Sequence, residues 1–221
     1  MLDQVGSLLP AAAGIALSPF PLVAVTLVVG GPRGRAPGLA FALGWVVGLS
    51  MLTAVAVGVG ELVGSEDGEA GLRASWARVA LGTALLALGV RKLARLPGGP
   101  SAAPGWAAGL TGAPPSRALA TALALAALNP KNVAFALASV STVGQAALTG
   151  GGVLVPAALF VVLASTTVLG VVAVDLVGGR AGRRALDGLR DLLLRHAGAI
   201  SAVVLLLIGA TVLGQGLGGI G

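Results

Sequence analysis

The chain has 221 residues, 56% of them hydrophobic and only 10% charged, with a mean hydropathy of +0.98; that much apolar surface cannot be hidden in one soluble core. The net charge of +6 would suit nucleic acid in a soluble protein. Here, however, the basic residues fall between apolar segments, where membrane topology and anionic headgroups account for them and no nucleic-acid partner is expected. Cysteine is absent, which excludes disulfides, thiolate metal sites and thiol redox relays.

A membrane helix needs roughly 20 apolar residues, so the length allows about six, and the chain reads as one all-α, polytopic membrane domain over 1–221. The first four residues carry Asp3 and no Lys or Arg, so the first apolar segment lacks the basic start of a cleaved signal peptide and is expected to stay. Segment 1, residues 5–30, is interrupted by Ser18-Pro19-Phe20-Pro21 and ends at Gly30-Gly31-Pro32. Segment 2 covers 37–63 and runs into an acidic connection with Glu61, Glu66, Asp67 and Glu69. Segment 3, 75–93, ends in Arg91, Lys92 and Arg95, and residues 97–117 form a Gly/Pro/Ala-rich loop. Segment 4, 118–148, is interrupted by Asn129-Pro130-Lys131-Asn132. Segment 5, 153–177, is followed by a basic stretch whose Leu186, Leu189 and Leu193 recur at helical spacing opposite Arg183, Asp187, Arg190 and Asp191. That pattern predicts an amphipathic helix lying on the inner surface before segment 6, 197–217. Lys and Arg are in excess after segments 1, 3 and 5, so both termini are expected outside and the 97–117 loop inside a plasma membrane.

The two interruptions lie 111 residues apart, about half the chain. Val-Gly-Glu61-Leu-Val-Gly matches Ala-Val-Asp175-Leu-Val-Gly, and Leu-Leu-Ala-Leu-Gly89 matches Leu-Leu-Leu-Ile-Gly209. Three matches in order suggest a duplication, with repeat 1 over 1–96 and repeat 2 over 118–221. Three spans per repeat is an odd number, so the copies are expected to be inverted, as in many secondary transporters. Ser18 and Asn129 are preferred N-cap residues, each followed by a proline suited to the first helical position. New half-helices are therefore expected to start there, leaving broken backbone at membrane depth, which is tolerated only inside protein or beside a water-filled cavity.

Helix starts attract anions, and a cation within a span is usually functional. Ser18, Pro19, Pro21, Asn129, Pro130, Lys131 and Asn132 are accordingly the candidate residues for binding an anionic lipid-linked or small solute; a simple proline kink, or Lys131 snorkelling outward or capping the carbonyl end of broken segment 4, is the plainer reading. Glu61 and Asp175 are candidates for ion coupling, against the alternative that both sit at interfaces. One histidine, no cysteine, no paired carboxylates and no nucleophile motif make an enzyme unexpected, and no cofactor or metal is implied. Without a Walker A pattern, transport would draw on a gradient or a partner.

At these residues the sequence resembles the lysine exporter superfamily, and within it the family of peptidoglycolipid or sulfolipid addressing proteins of actinobacteria. The resemblance spans nearly the whole chain: the proline motif of segment 1, Gly-Pro-Arg-Gly-Arg-Ala-Pro-Gly leading into segment 2, and Leu128-Asn129-Pro130-Lys131-Asn132 in segment 4. Amino-acid exporters of the superfamily tend to show Pro-Gly-Pro where this chain has Pro19-Phe20-Pro21, which favours the lipid-addressing branch. The resemblance implies a six-helix membrane protein concerned with export of cell-envelope glycolipids. A non-transporting scaffold of an envelope-lipid export complex, an amino-acid or ion exporter, and a homo-oligomer stay open as alternatives.

Overall fold

A computed structural model describes residues 2–33, 35–63, 69–95, 109–133, 135–137 and 152–220. These residues are helical throughout, with short turns between. The elements are α1 (Leu2–Ala16), α2 (Pro19–Val29), α3 (Ala36–Val63), α4 (Glu69–Ala94), α5 (Pro115–Ala127), α6 (Pro130–Leu137), α7 (Leu154–Val177) and α8 (Gly179–Gly218).

Both predicted interruptions are real breaks. α1 meets α2 at 46°, and α5 meets α6 at 50°. In each case a proline opens the second helix, where its missing N–H costs nothing, directly after a residue that cannot continue the first. By length and apolar composition α3 and α7 each suffice to cross a membrane, and each bent pair suffices if counted as one span. The remaining two expected spans are less apolar or shorter. α4 starts six residues earlier than the sequence suggests, at Glu69, and carries charge at both ends, while the apolar part of α8 is Ala202–Gly218.

The described residues fall into two compact units, Met1–Leu62 with Ala103–Leu193, and Val63–Ala102 with Leu194–Gly221. Each expected repeat therefore gives its first two segments to one unit and its third to the other. In the first unit α7 packs against α1 and α2, and its core holds Trp45, Phe41, Phe160 and Leu49, all fully buried. α3 closes on α5 through Gly44 and Gly48, whose missing side chains let the backbones of Leu119 and Leu123 approach.

In the second unit α4 and the C-terminal half of α8 run antiparallel. A Cβ on Gly89 would meet Leu206 at 2.9 Å, and one on Gly209 would meet Leu86 at 2.8 Å. These contacts are reciprocal at the offset of 120 that relates Gly89 to Gly209: residue 89 touches the counterpart of 86, and 86 touches the counterpart of 89. Contacts that pair in this way follow from the antiparallel run of the two helices.

The amphipathic stretch after segment 5 is helical as expected, and it is assigned with segment 6 to one 40-residue helix, α8, rather than to a helix of its own. The amphipathicity itself is present, with Leu186 and Leu193 buried and Arg183, Asp187 and Asp191 exposed. α7 and α8 are joined by Gly178-Gly179, where Gly179 adopts φ +52°, a left-handed conformation that costs glycine little.

Candidate functional site

The first break is defined by how its carbonyls are satisfied. A helix leaves its last four C=O groups without intrahelical partners, and inside a membrane each would be costly. In α1 these are Ala13, Gly14, Ile15 and Ala16, and all four are met. Leu17 N donates to Ala13 O (2.9 Å) and Ser18 N to Ile15 O (3.0 Å). The other two are reached from distant parts of the chain: Lys131 Nζ donates to Gly14 O at 2.5 Å, and Thr167 Oγ1 of α7 donates to Ala16 O at 2.6 Å.

The second break is built differently. Asn129 Oδ1 accepts the N–H of Lys131 at 3.0 Å, an N-cap as the sequence predicts. Asn132, fully buried, reaches back so that its Nδ2 donates to Leu125 O (3.1 Å) and Ala126 O (3.0 Å), closing the carbonyl end of α5. Ser18 also occupies the N-cap position of α2, with extended backbone at ψ 123°, but its hydroxyl makes no cap bond.

The adjacent pair Lys131-Asn132 thus divides its work: Asn132 seals its own break and Lys131 seals the other. The plainer reading of Lys131 as a carbonyl cap holds in kind and needs correcting in place, because the helix end it meets is α1, not α5. A cation suits that position, since helix C-termini carry partial negative charge. The ammonium also lies 5.9 Å from the centroid of the Phe135 ring, within cation–π range. An ammonium has three donors, Gly14 O takes one, and the side chain is only partly buried. The carbon of Gly14 abuts the Phe135 ring closely enough that no Cβ fits between them.

Ser18, Pro19, Pro21, Asn129, Pro130, Lys131 and Asn132 therefore lie around one crossing of the two broken spans. Asn132 Oδ1, Trp45 Nε1 of α3 and Ser165 Oγ of α7 are buried without a hydrogen-bond partner among the described residues. Thr167, Gly14 and Phe135 escaped the sequence reading. The run Ser165-Thr166-Thr167 inside an apolar segment was the one available signal.

The two acidic candidates stand apart from the crossing. Glu61 belongs to the last turn of α3, and its side chain lies outside the described residues. Asp175 is eight residues beyond Thr167 on α7, about 12 Å further along the helix. It is 7% exposed and borders a cavity of about 290 Å³ with Thr26, Gly30, Arg35, Arg183 and Asp187 among its walls. Among the described residues no group of acids, histidines or cysteines is arranged to hold a metal ion.

The family described as Sap, sulfolipid-1-addressing protein, matches residues 8–218, so the chain belongs to that family. No curated protein and no solved structure matches it.

Proposed function

We propose that this member of the sulfolipid-1-addressing family is an exporter or translocation factor of the plasma membrane, moving an anionic, lipid-linked envelope solute outward as a secondary transporter. The observation that carries the reading is the crossing of the two broken spans, where one ammonium bridges both breaks and keeps donors to spare. A membrane protein that needed only anchoring would gain nothing from two breaks and a cation between them, each of which costs stability in lipid. Donors left over on Lys131, with the start of α2 nearby, suit a sulfate, phosphate or carboxylate. Six spans in two inverted repeats, and a place in the lysine exporter superfamily, belong to the same proposal; the two breaks, each opened by a proline about half the chain apart, support the repeat. No catalytic step is part of it.

Deleting the gene is expected to strip one anionic glycolipid from the outer envelope and to accumulate it inside, with recovery on complementation. An unchanged distribution sinks the reading. Purified protein in liposomes then separates a transporter from a scaffold: flipping of the accumulated lipid by this chain alone is expected, and its absence without further proteins gives the scaffold.

The orientation has its own test. Single cysteines introduced into this cysteine-free chain are probed on intact cells with an impermeant thiol reagent. Gly219→Cys should label and Ala103→Cys should not; the reverse pattern inverts the topology.

A further inference from the structure

The cavity bordered by Asp175 is remote from the crossing, and its walls are polar in a particular way. Four helix ends converge on it. α2 and α7 arrive with their C-terminal ends, at Thr26 and Gly30 and at Asp175; α3 and α8 arrive with their N-terminal ends, preceded by Arg35 and followed by Arg183. Helix C-termini carry partial negative charge and N-termini partial positive charge, so each full charge reinforces the dipole of the end it borders. The wall thus carries Asp175 with the carbonyl end of α2, and Arg35 and Arg183 with two helix starts. Asp187, one turn beyond Arg183, lines the cavity as well, but it is exposed, so solvent screens its offset of the guanidinium.

Asp175 is more than nine-tenths buried, and among the described residues its carboxylate has neither a hydrogen bond nor an ion pair. What access the carboxylate keeps is onto this cavity, whose wall it helps to form, and a carboxylate with so little water around it gains from a donor or a cation placed there. Thr26 does not serve it, because its hydroxyl donates to Leu22 O and Val23 O. A bare cation would satisfy Asp175 but meet Arg35 and Arg183. A simple anion would satisfy the arginines but meet Asp175.

We propose that this cavity binds a zwitterionic phosphoethanolamine group, its primary ammonium on Asp175 and its phosphate on Arg35 and Arg183. A primary ammonium brings three N–H donors for the carboxylate. Quaternary choline brings none and is recognised by aromatic faces, and among the described residues no aromatic side chain lines the cavity. Arginine suits the phosphate because its planar fork pairs with two oxygens at once. A volume of about 290 Å³ takes a headgroup and leaves acyl chains outside. This site stands independently of the export reading, since it shares no residue with the crossing.

The test is native mass spectrometry of the full chain released from nanodiscs containing phosphatidylethanolamine, phosphatidylcholine or phosphatidylglycerol. Phosphatidylethanolamine should be retained at least tenfold more than either other lipid. Asp175→Asn should remove that preference while leaving phosphatidylglycerol retention unchanged or raised, and Arg183→Gln should weaken retention of phosphatidylethanolamine and phosphatidylglycerol alike. Soluble glycerophosphoethanolamine should displace the lipid, placing recognition in the headgroup; failure to displace it, with acyl-chain length setting retention instead, overturns the headgroup site. Equal retention of choline and ethanolamine lipids, or an Asp175→Asn chain with wild-type preference, overturns it as well. None of these outcomes alters the deletion phenotype, so the two proposals fail separately.

Discussion

Lys131→Ala is expected to lower export of the envelope lipid about a hundredfold, the scale of losing charge-assisted hydrogen bonds to an anion, while protein still reaches the membrane. The same change strips Gly14 O of its partner, and leaving such an acceptor unmet costs about 1–3 kcal/mol, so loss of activity alone would not separate a binding role from a structural one. Lys131→Gln separates them. It keeps an N–H donor for the α1 carbonyl end but carries no charge, so it should recover much of the stability and little of the export. Lys131→Arg keeps charge and donors in a different shape and should recover export in part. Arg95→Ala, at an exposed residue beyond the end of α4, should export normally. The ratio of transport to folded protein, by lipid export and by thermal stability in detergent, decides the matter. A Lys131→Gln chain that exports at the wild-type rate removes the anion role and leaves a cap.

Why Lys131 could be singled out from the sequence but not understood from it is a question of range. Its rarity within an apolar segment is a local property, and so is the Asn-Pro signal that starts a half-helix beside it. The partner, Gly14 O, is 117 residues away and becomes reachable only once both spans have bent. The same holds for Thr167, which looks like an ordinary intrahelical hydroxyl until α1 is known to end at Ala16. Segment limits, by contrast, follow from composition: α3 and α7 fall within a residue or so of the apolar runs that predict them.

Asp175 shows a different failure. Its position near the end of an apolar run reads as an interfacial residue, and along the chain it is one. In the structure it is buried and shares the wall of one cavity with Arg183, eight residues further along the chain on α8. That grouping follows from how the two helices are joined, and the order of apolar and basic stretches does not reveal it. The resemblance to lipid-addressing proteins survives comparison with the family itself, and two of the three motifs that suggested it are the two breaks.

Gly44→Ala and Gly58→Ala, two identical substitutions on the same helix, should move stability in opposite directions. In an isolated helix alanine is better than glycine by about 0.5–1 kcal/mol, through backbone entropy. At Gly58 nothing lies within 4 Å of the position a Cβ would take, so that gain should appear undiminished. At Gly44 the Cβ would collide with the carbonyl oxygen of Leu119 and come within 3.1 Å of its Cα. Those atoms belong to the backbone of α5 and cannot rotate away, so α3 and α5 must separate along the Gly44/Gly48 contact. Overpacking of this kind costs about 1–3 kcal/mol, occasionally more, and here it also displaces the helix whose carbonyl end Asn132 closes. Gly44→Ala should therefore unfold at distinctly lower temperature or denaturant than the parent chain and lose export in proportion. If Gly44→Ala matches Gly58→Ala in stability, the close approach of α3 to α5 is wrong, and the placement of the second break relative to α3 falls with it.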